Sequence, residues 1–169
     1  LIYDDVGCVD RLPIHYTKLM ENKGIKCMAF NRFVPFLSLA MNNRDHRKIL
    51  VIDGYIGYSG GINLADEYIN EKARFGHWKD TGVRLLGEGV FNLITGEAVR
   101  SFTIMFLEMW NAFQKPDFDY EAFRPHRWHP ETFKTDGYVI PYADTPLDNE
   151  ELGENVYINI LNQAKDYVY

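Results

Sequence analysis

Between Arg44 and Asn63 the sequence reads R-D-H-R-K-I-L-V-I-D-G-Y-I-G-Y-S-G-G-I-N, and its polar residues are of the kinds that handle a phosphate. His46 carries an imidazole that can act as a nucleophile or a general base. Lys48, two residues on, is a point charge suited to a phosphate oxygen. Gly60 and Gly61 allow backbone N–H groups to approach an anion closely, and Asn63 adds an amide donor. Together these groups can hold and attack a phosphodiester without a metal, meeting the charge that develops on its equatorial oxygens with fixed donors.

A hairpin would bring them together. In an extended strand, His46 and Lys48 share a face. Ile49-Leu50-Val51-Ile52 is apolar throughout and mostly β-branched, which predicts a strand buried on both faces. Asp53-Gly54 predicts a tight turn. Tyr55 to Tyr58 then form a returning strand that carries Gly60 to Asn63 back beside His46 and Lys48.

The set His46-x-Lys48-x4-Asp53-x6-Gly60-Gly61-x-Asn63 resembles the His-Lys-Asp signature of the phospholipase D superfamily. Gly61 stands where that family often has Ser, which removes a hydroxyl donor and keeps the backbone donor. Tyr3-Asp4-Asp5-Val6-Gly7, the run from Asn43 to Lys48, the run from Gly60 to Tyr68, Trp78-Lys79-Asp80-Thr81 and Gly153-Glu154-Asn155-Val156-Tyr157 are similar to bacterial cardiolipin synthases. The resemblance implies an α/β fold, a mixed β-sheet flanked by helices. It implies phosphatidyl transfer between two phosphatidylglycerol molecules, giving cardiolipin and glycerol through a phosphohistidine, with no cofactor and no metal. Hydrolysis of a phosphodiester is the alternative within the same superfamily.

The same resemblance assigns residues. His46, Lys48, Asp53 and Asp80 are the expected catalytic set, and Asn63, Gly60 and Gly61 the substrate-binding one. Asp80 would sit behind the imidazole and orient it, as a carboxylate can by fixing the tautomer and steadying the imidazolium. The plain alternative is a strand-end acid paired with Lys79 or Arg84. Asp53 would serve a paired half-site or the turn. The implied partners are phosphatidylglycerol, the membrane surface and a second His-Lys-Asp half in cis. The implied location is the bacterial cytoplasmic membrane. Residues 1–115 would form the first catalytic half, 116–153 an irregular linker and 154–169 the start of a second half. Without the second motif's acid, this piece alone is expected to be inactive.

Composition agrees with a lipid rather than a nucleic-acid partner. The chain has 169 residues and a net charge of −6, whereas nucleic-acid binders are usually basic. A local basic patch remains at Arg44, Arg47 and Lys48. Cys8 and Cys27 form no CxxC and read as reduced core thiols. No apolar run approaches the ~20 residues that span a bilayer. The chain opens on an apolar strand and closes on Tyr167-Val168-Tyr169, so it reads as an excised piece.

The remaining elements follow from pattern. Residues 1–6 read as a strand ending in Asp4-Asp5, either polar loop residues near a site or half of a metal pair. Residues 13–22 read as a helix stopped by Gly24, and 25–30 as a second strand. The apolar stretch 33–41, broken by Pro35, is either a lip for acyl chains or a loop packed on itself. A short helix is expected over 64–70 and a strand after His77. A long helix over 88–113 has Val90, Ile94, Ala98, Phe102, Met105, Met109, Trp110 and Phe113 as its core stripe. In the irregular stretch 114–150, His126-x-x-His129 reads as a solvated loop rather than a metal site. Tyr138 to Tyr142 reads as a short strand, and 154–164 as an amphipathic helix with Val156, Tyr157, Ile160, Leu161 and Ala164 on one face.

Overall fold

The computed structural model describes residues 1–32, 44–86, 98–114, 119–124, 139–145 and 148–168. The apolar stretch 33–41, Val90, Ile94, His126, His129 and Tyr138 lie outside the described residues. The fold is mixed α/β, with one parallel and one antiparallel sheet and helices beside them. The chain divides into two compact units, Leu1–His46 with Tyr142–Tyr169, and Arg47–Pro141.

In the first unit, β1 (Ile2–Asp4) pairs in parallel with β2 (Met28–Phe30), Ile2 opposite Met28 and Asp4 opposite Phe30. Parallel neighbours need a crossover, and α1 (Asp5–Cys8) and α2 (Tyr16–Glu21) supply it. β1 stops at Asp4 because its carboxylate turns to cap α1, accepting from the Gly7 amide at 2.9 Å. α2 is shorter than the expected 13–22. Its N-cap, His15, is left-handed at φ 67°, which leaves Pro13 and Ile14 outside the helix. Cys27, Met28 and Phe30 form the core of this unit, and Tyr3 packs edge-on against Tyr16 with ring centroids 5.4 Å apart. The last helix, α4 (Leu152–Gln163), has no fully buried residue; on the apolar face expected there Val156 is half-buried while Tyr157, Ile160 and Leu161 are exposed. Residues 139–145 hold no strand.

In the second unit, β3 (Ile49–Ile52), β4 (Ile56–Gly60) and β5 (Gly82–Leu86) form an antiparallel sheet in that order. Asp53 and Gly54 both take positive φ, 53° and 69°, and the Tyr55 amide bonds back to the Ile52 carbonyl at 3.0 Å. The hairpin turn is therefore where it was expected. The register is offset by one residue: Ile52 pairs with Ile56 rather than Tyr55, and Ile49 with Ser59. The offset frees Tyr55 from the ladder and buries it.

β3 is not buried on both faces. Ile49 and Val51 are half-buried, while Leu50 is 54% and Ile52 40% exposed. Among the described residues, only one face of this sheet is covered, by α3 (Ala98–Phe113), where Gly57 leaves room for Phe102 and Val99. The stripe α3 buries is Val99, Phe102, Thr103, Leu107, Met109 and Trp110. Phe102, Met109 and Trp110 were expected there; Phe113, at the last turn, is exposed. A single 3-10 turn at Tyr120–Phe123 docks on α3 through Arg100 and Glu121, 3.1 Å apart. Among the described residues, no helix is long and apolar enough to cross a membrane.

Cys8 and Cys27 are both free thiols. Cys27 is buried, but Cys8 is only half-buried and so is not a core residue. Burial pushes both thiols up from the ordinary range, and at Cys8 the neighbouring Asp4 and Asp5 carboxylates push the same way. The folded chain thus holds these protons more tightly than the unfolded chain. Their contribution to stability is present below the ordinary thiol range of about pH 8.5 and is lost above it. Alkylation of the native protein by iodoacetamide is expected to be slow at neutral pH, to rise only well above that range, and to reach Cys8 before Cys27. Mass spectrometry of labelled peptides across a pH series checks this.

Candidate phosphodiester site

Asp80 and the glycine pair meet at the end of β4. The Gly61 amide bonds to the Thr81 carbonyl at 3.3 Å. A Cβ on residue 60 would fall 2.6 Å from that carbonyl oxygen, and one on residue 61 would fall 2.5 Å from Asp80 Oδ1. Position 60 therefore requires glycine for close approach to backbone rather than for an unusual φ, whereas a side chain at 61 would have to shift the Asp80 carboxylate. Asp80 is held in that place: its Oδ1 accepts from the Thr81 amide at 2.7 Å and its Oδ2 from Trp78 Nε1 at 3.2 Å. The carboxylate is thus not the simple partner of Lys79 or Arg84 considered above.

Asn63 belongs to the same network. Its Nδ2 donates to the Tyr68 hydroxyl at 2.6 Å, and the Tyr68 ring packs on Trp78 with centroids 4.5 Å apart. Residues 64–70 do not form the expected helix. Their amides close onto nearby carbonyls as turns, Ala65 to Asn63, Tyr68 to Ala65 and Asn70 to Glu67. Asn70, at φ 62°, then grips the Trp78 backbone from both sides, accepting from its amide at 2.6 Å and donating to its carbonyl at 2.9 Å. Tyr68 and Trp78 entered the sequence reading as parts of segments similar to cardiolipin synthases, and Asn70 as the end of the expected helix, with no role given to any of the three, since they show no spacing pattern.

Lys48 stands at the head of β3, directly before Ile49, whose partner Ser59 precedes Gly60. The paired ladder begins only at Ile49, so Lys48 and His46 lie ahead of the strand rather than within it. Lys48 is half-buried and His46 exposed. Asp53 occupies the hairpin turn, at the opposite end of β3 from Lys48, about 17 Å of extended chain away.

His46 closes the first unit, and the residues before it are anchored there. Arg44 Nη1 meets Asp4 Oδ1 at 3.3 Å and Nη2 donates to the Asn31 carbonyl at 3.1 Å. The Asp45 amide donates to Asp4 Oδ2 at 3.2 Å. The pair is largely shielded from solvent, the Asp4 side chain being 14% and that of Arg44 23% exposed. Asp4, read from sequence as a loop acid or half of a metal pair, is instead committed to a guanidinium and two backbone amides. Among the described residues no cluster of His, Cys, Asp and Glu is arranged to hold a metal ion.

Fold and residue set resemble those of a phospholipase D-like half-domain, and over its whole length the chain is similar to cardiolipin synthases. It is 34% identical over 171 residues to cardiolipin synthase 2 of Staphylococcus epidermidis and 34% identical over 176 residues to a cardiolipin synthase of Staphylococcus aureus. Each match covers all of this chain and 32% of the relative. An uncharacterized protein of Streptococcus mutans is 50% identical over 169 residues, all of this chain and 34% of its own length. The chain thus spans about a third of the length of the curated relatives it matches. No protein-family model matches it. No solved structure matches it.

Two outcomes follow from this geometry. Gly61→Ser supplies the hydroxyl the superfamily often carries, yet its Cβ must displace the Asp80 carboxylate from the Thr81 amide. Urea denaturation is expected to show a loss of about 1–2 kcal/mol. Asp4→Ala leaves a shielded guanidinium and two amides without their acceptor, at a cost of about 2 kcal/mol. Hydrogen exchange is expected to quicken at the Asp45 amide beyond the change at the β3 amides.

Proposed function

We infer that the protein is a phosphatidyltransferase of the cardiolipin synthase type, joining two phosphatidylglycerol molecules into cardiolipin with release of glycerol. The observation that carries this reading is the match to two named cardiolipin synthases, which runs over this whole chain and so over every motif residue from His46 to Asp80.

The chemistry follows from the charge on the substrate. A phosphodiester repels nucleophiles, so the reaction is divided into two displacements. In the first, an imidazole nitrogen bonds to phosphorus, the bond to the glycerol oxygen breaks, and glycerol leaves with a proton from an acid. In the second, the hydroxyl of another phosphatidylglycerol attacks phosphorus, its proton is taken up, and the P–N bond breaks. One motif's histidine attacks while the counterpart in a second His-Lys-Asp half acts as the acid. His46 fills one of these two roles. Lys48, Asn63 and the backbone of Gly60 and Gly61 neutralise the phosphate oxygens as charge builds. Asp80, fixed by the Thr81 and Trp78 donors, orients the imidazole. Asp53 supports the hairpin turn or the paired half. The second half lies in cis, the substrate arrives from the membrane surface, and the bacterial cytoplasmic membrane is the place of action. In this reading 1–115 is the first catalytic half, 116–153 a linker and 154–169 the opening of the second half, and these residues alone are inactive.

Full-length protein incubated with labelled phosphatidylglycerol in vesicles is expected to yield cardiolipin and free glycerol. Phosphatidic acid with glycerol would instead make water the acceptor, and folded protein giving neither product overturns the enzyme reading. His46→Asn is expected to lower the rate by at least ~10³-fold, as loss of a nucleophile or its acid does.

A further inference from the structure

We propose that Trp78 and Tyr68 are positioning residues that set Asp80 and Asn63 separately, one for the chemical step and the other for phosphate binding. This inference rests on the phosphodiester reading given above for Asp80 and Asn63.

The two aromatic residues face each other and turn their polar atoms outward to different motif residues. The Trp78 indole N–H donates to Asp80 Oδ2 at 3.2 Å, while the Tyr68 hydroxyl accepts from Asn63 Nδ2 at 2.6 Å. The rings touch at 4.5 Å with an interplanar angle of 56°. Each has its own anchor. The two bonds from Asn70 fix the Trp78 backbone, and the Tyr68 amide closes a turn on the Ala65 carbonyl at 3.0 Å. The aromatic contact therefore fixes the distance between two groups that come from opposite ends of a loop.

The bonds act differently on the two groups. Asp80 receives one donor on each oxygen, from the Thr81 amide and from Trp78. Removing the indole donor leaves one bond about which the carboxylate can rotate, so its remaining lone pairs no longer point one way. An acid that orients an imidazole acts after the substrate has bound, so the loss should fall on kcat. Asn63 uses one of its two amide hydrogens on Tyr68 and keeps the other for an anion. The hydroxyl thus sets which way that hydrogen points, and its loss should fall on affinity for phosphate.

Two aromatic-preserving variants separate the two effects in full-length protein. Trp78→Phe keeps an aromatic ring against Tyr68 and removes the indole donor along with one ring of the bicycle. It is expected to lower kcat about tenfold with KM within about twofold of wild type. Tyr68→Phe keeps the ring and removes only the hydroxyl. It is expected to raise KM and the inhibition constant of inorganic phosphate about three- to tenfold, with kcat nearly unchanged. Thermal unfolding of each variant accompanies the kinetics. An active wild type whose two variants differ from it only in Tm overturns this inference, since the aromatic pair would then be structural packing alone. A shift of kcat and KM together in both variants overturns it too, because the two settings would not be separate. A wild type that neither turns over lipid nor is protected by phosphate against thermal unfolding overturns the phosphodiester reading itself. That result is distinct from either failure in an active protein.

Discussion

Where β4 runs out, the carbonyl of Thr81 occupies space that a side chain on residue 60 would need, and the Asp80 carboxylate occupies the space above residue 61. The rest of the site depends on that close approach of two backbones. It lets the chain leave the sheet at Gly61 and return at Gly82 with the carboxylate already pinned beside it. It also commits the Gly61 amide to the Thr81 carbonyl, 3.3 Å away, so an anion at this end of the sheet must compete with that carbonyl for the donor. A larger residue would separate the strands at the point where the loop between them begins.

Two anchors, one in each unit, work by the same means, a short polar side chain holding backbone. Asp4 takes the Asp45 amide and the Arg44 guanidinium, so the residues entering the motif are tied to the end of β1. Asn70 takes both polar groups of the Trp78 backbone, so the residues leaving the motif are tied ahead of Asp80. Each spans residues well separated in sequence, eight positions for Asn70 and about forty for Asp4. Each replaces a regular ladder where the chain is too irregular to form one.

What could be read from sequence was whatever local geometry dictates. The Asp53-Gly54 turn was legible because both residues tolerate positive φ, the strand before it because of its β-branched residues, and the strand after it because such a turn sends the chain back. The one-residue offset at Tyr55 was not, since burying that ring is a tertiary gain. Four apolar residues in a row suggested two covered faces, but α3 covers only one, and Leu50 and Ile52 remain exposed. In α3, the 3.6-residue period located Phe102, Met109 and Trp110 but not Val99 or Leu107, because the centre of the stripe is set by the sheet it meets. Asp4 with Arg44, and Tyr68 with Trp78, were out of reach for one reason: their chemistry comes from contact and leaves no spacing in the chain. Asp80 was reached only through family resemblance, and its donors only through the structure.

The two bonds from Asn70 to Trp78 have one more effect. They close residues 71–77, all exposed, into a surface excursion whose ends are fixed whatever happens along it. Closing a longer excursion costs little, because the entropy of closure grows only as the logarithm of length. Related chains can therefore lengthen or rewrite this segment, and so alter what the protein meets at its surface, without moving the carboxylate two residues past Trp78. Variation and chemistry are insulated from each other here by a single asparagine.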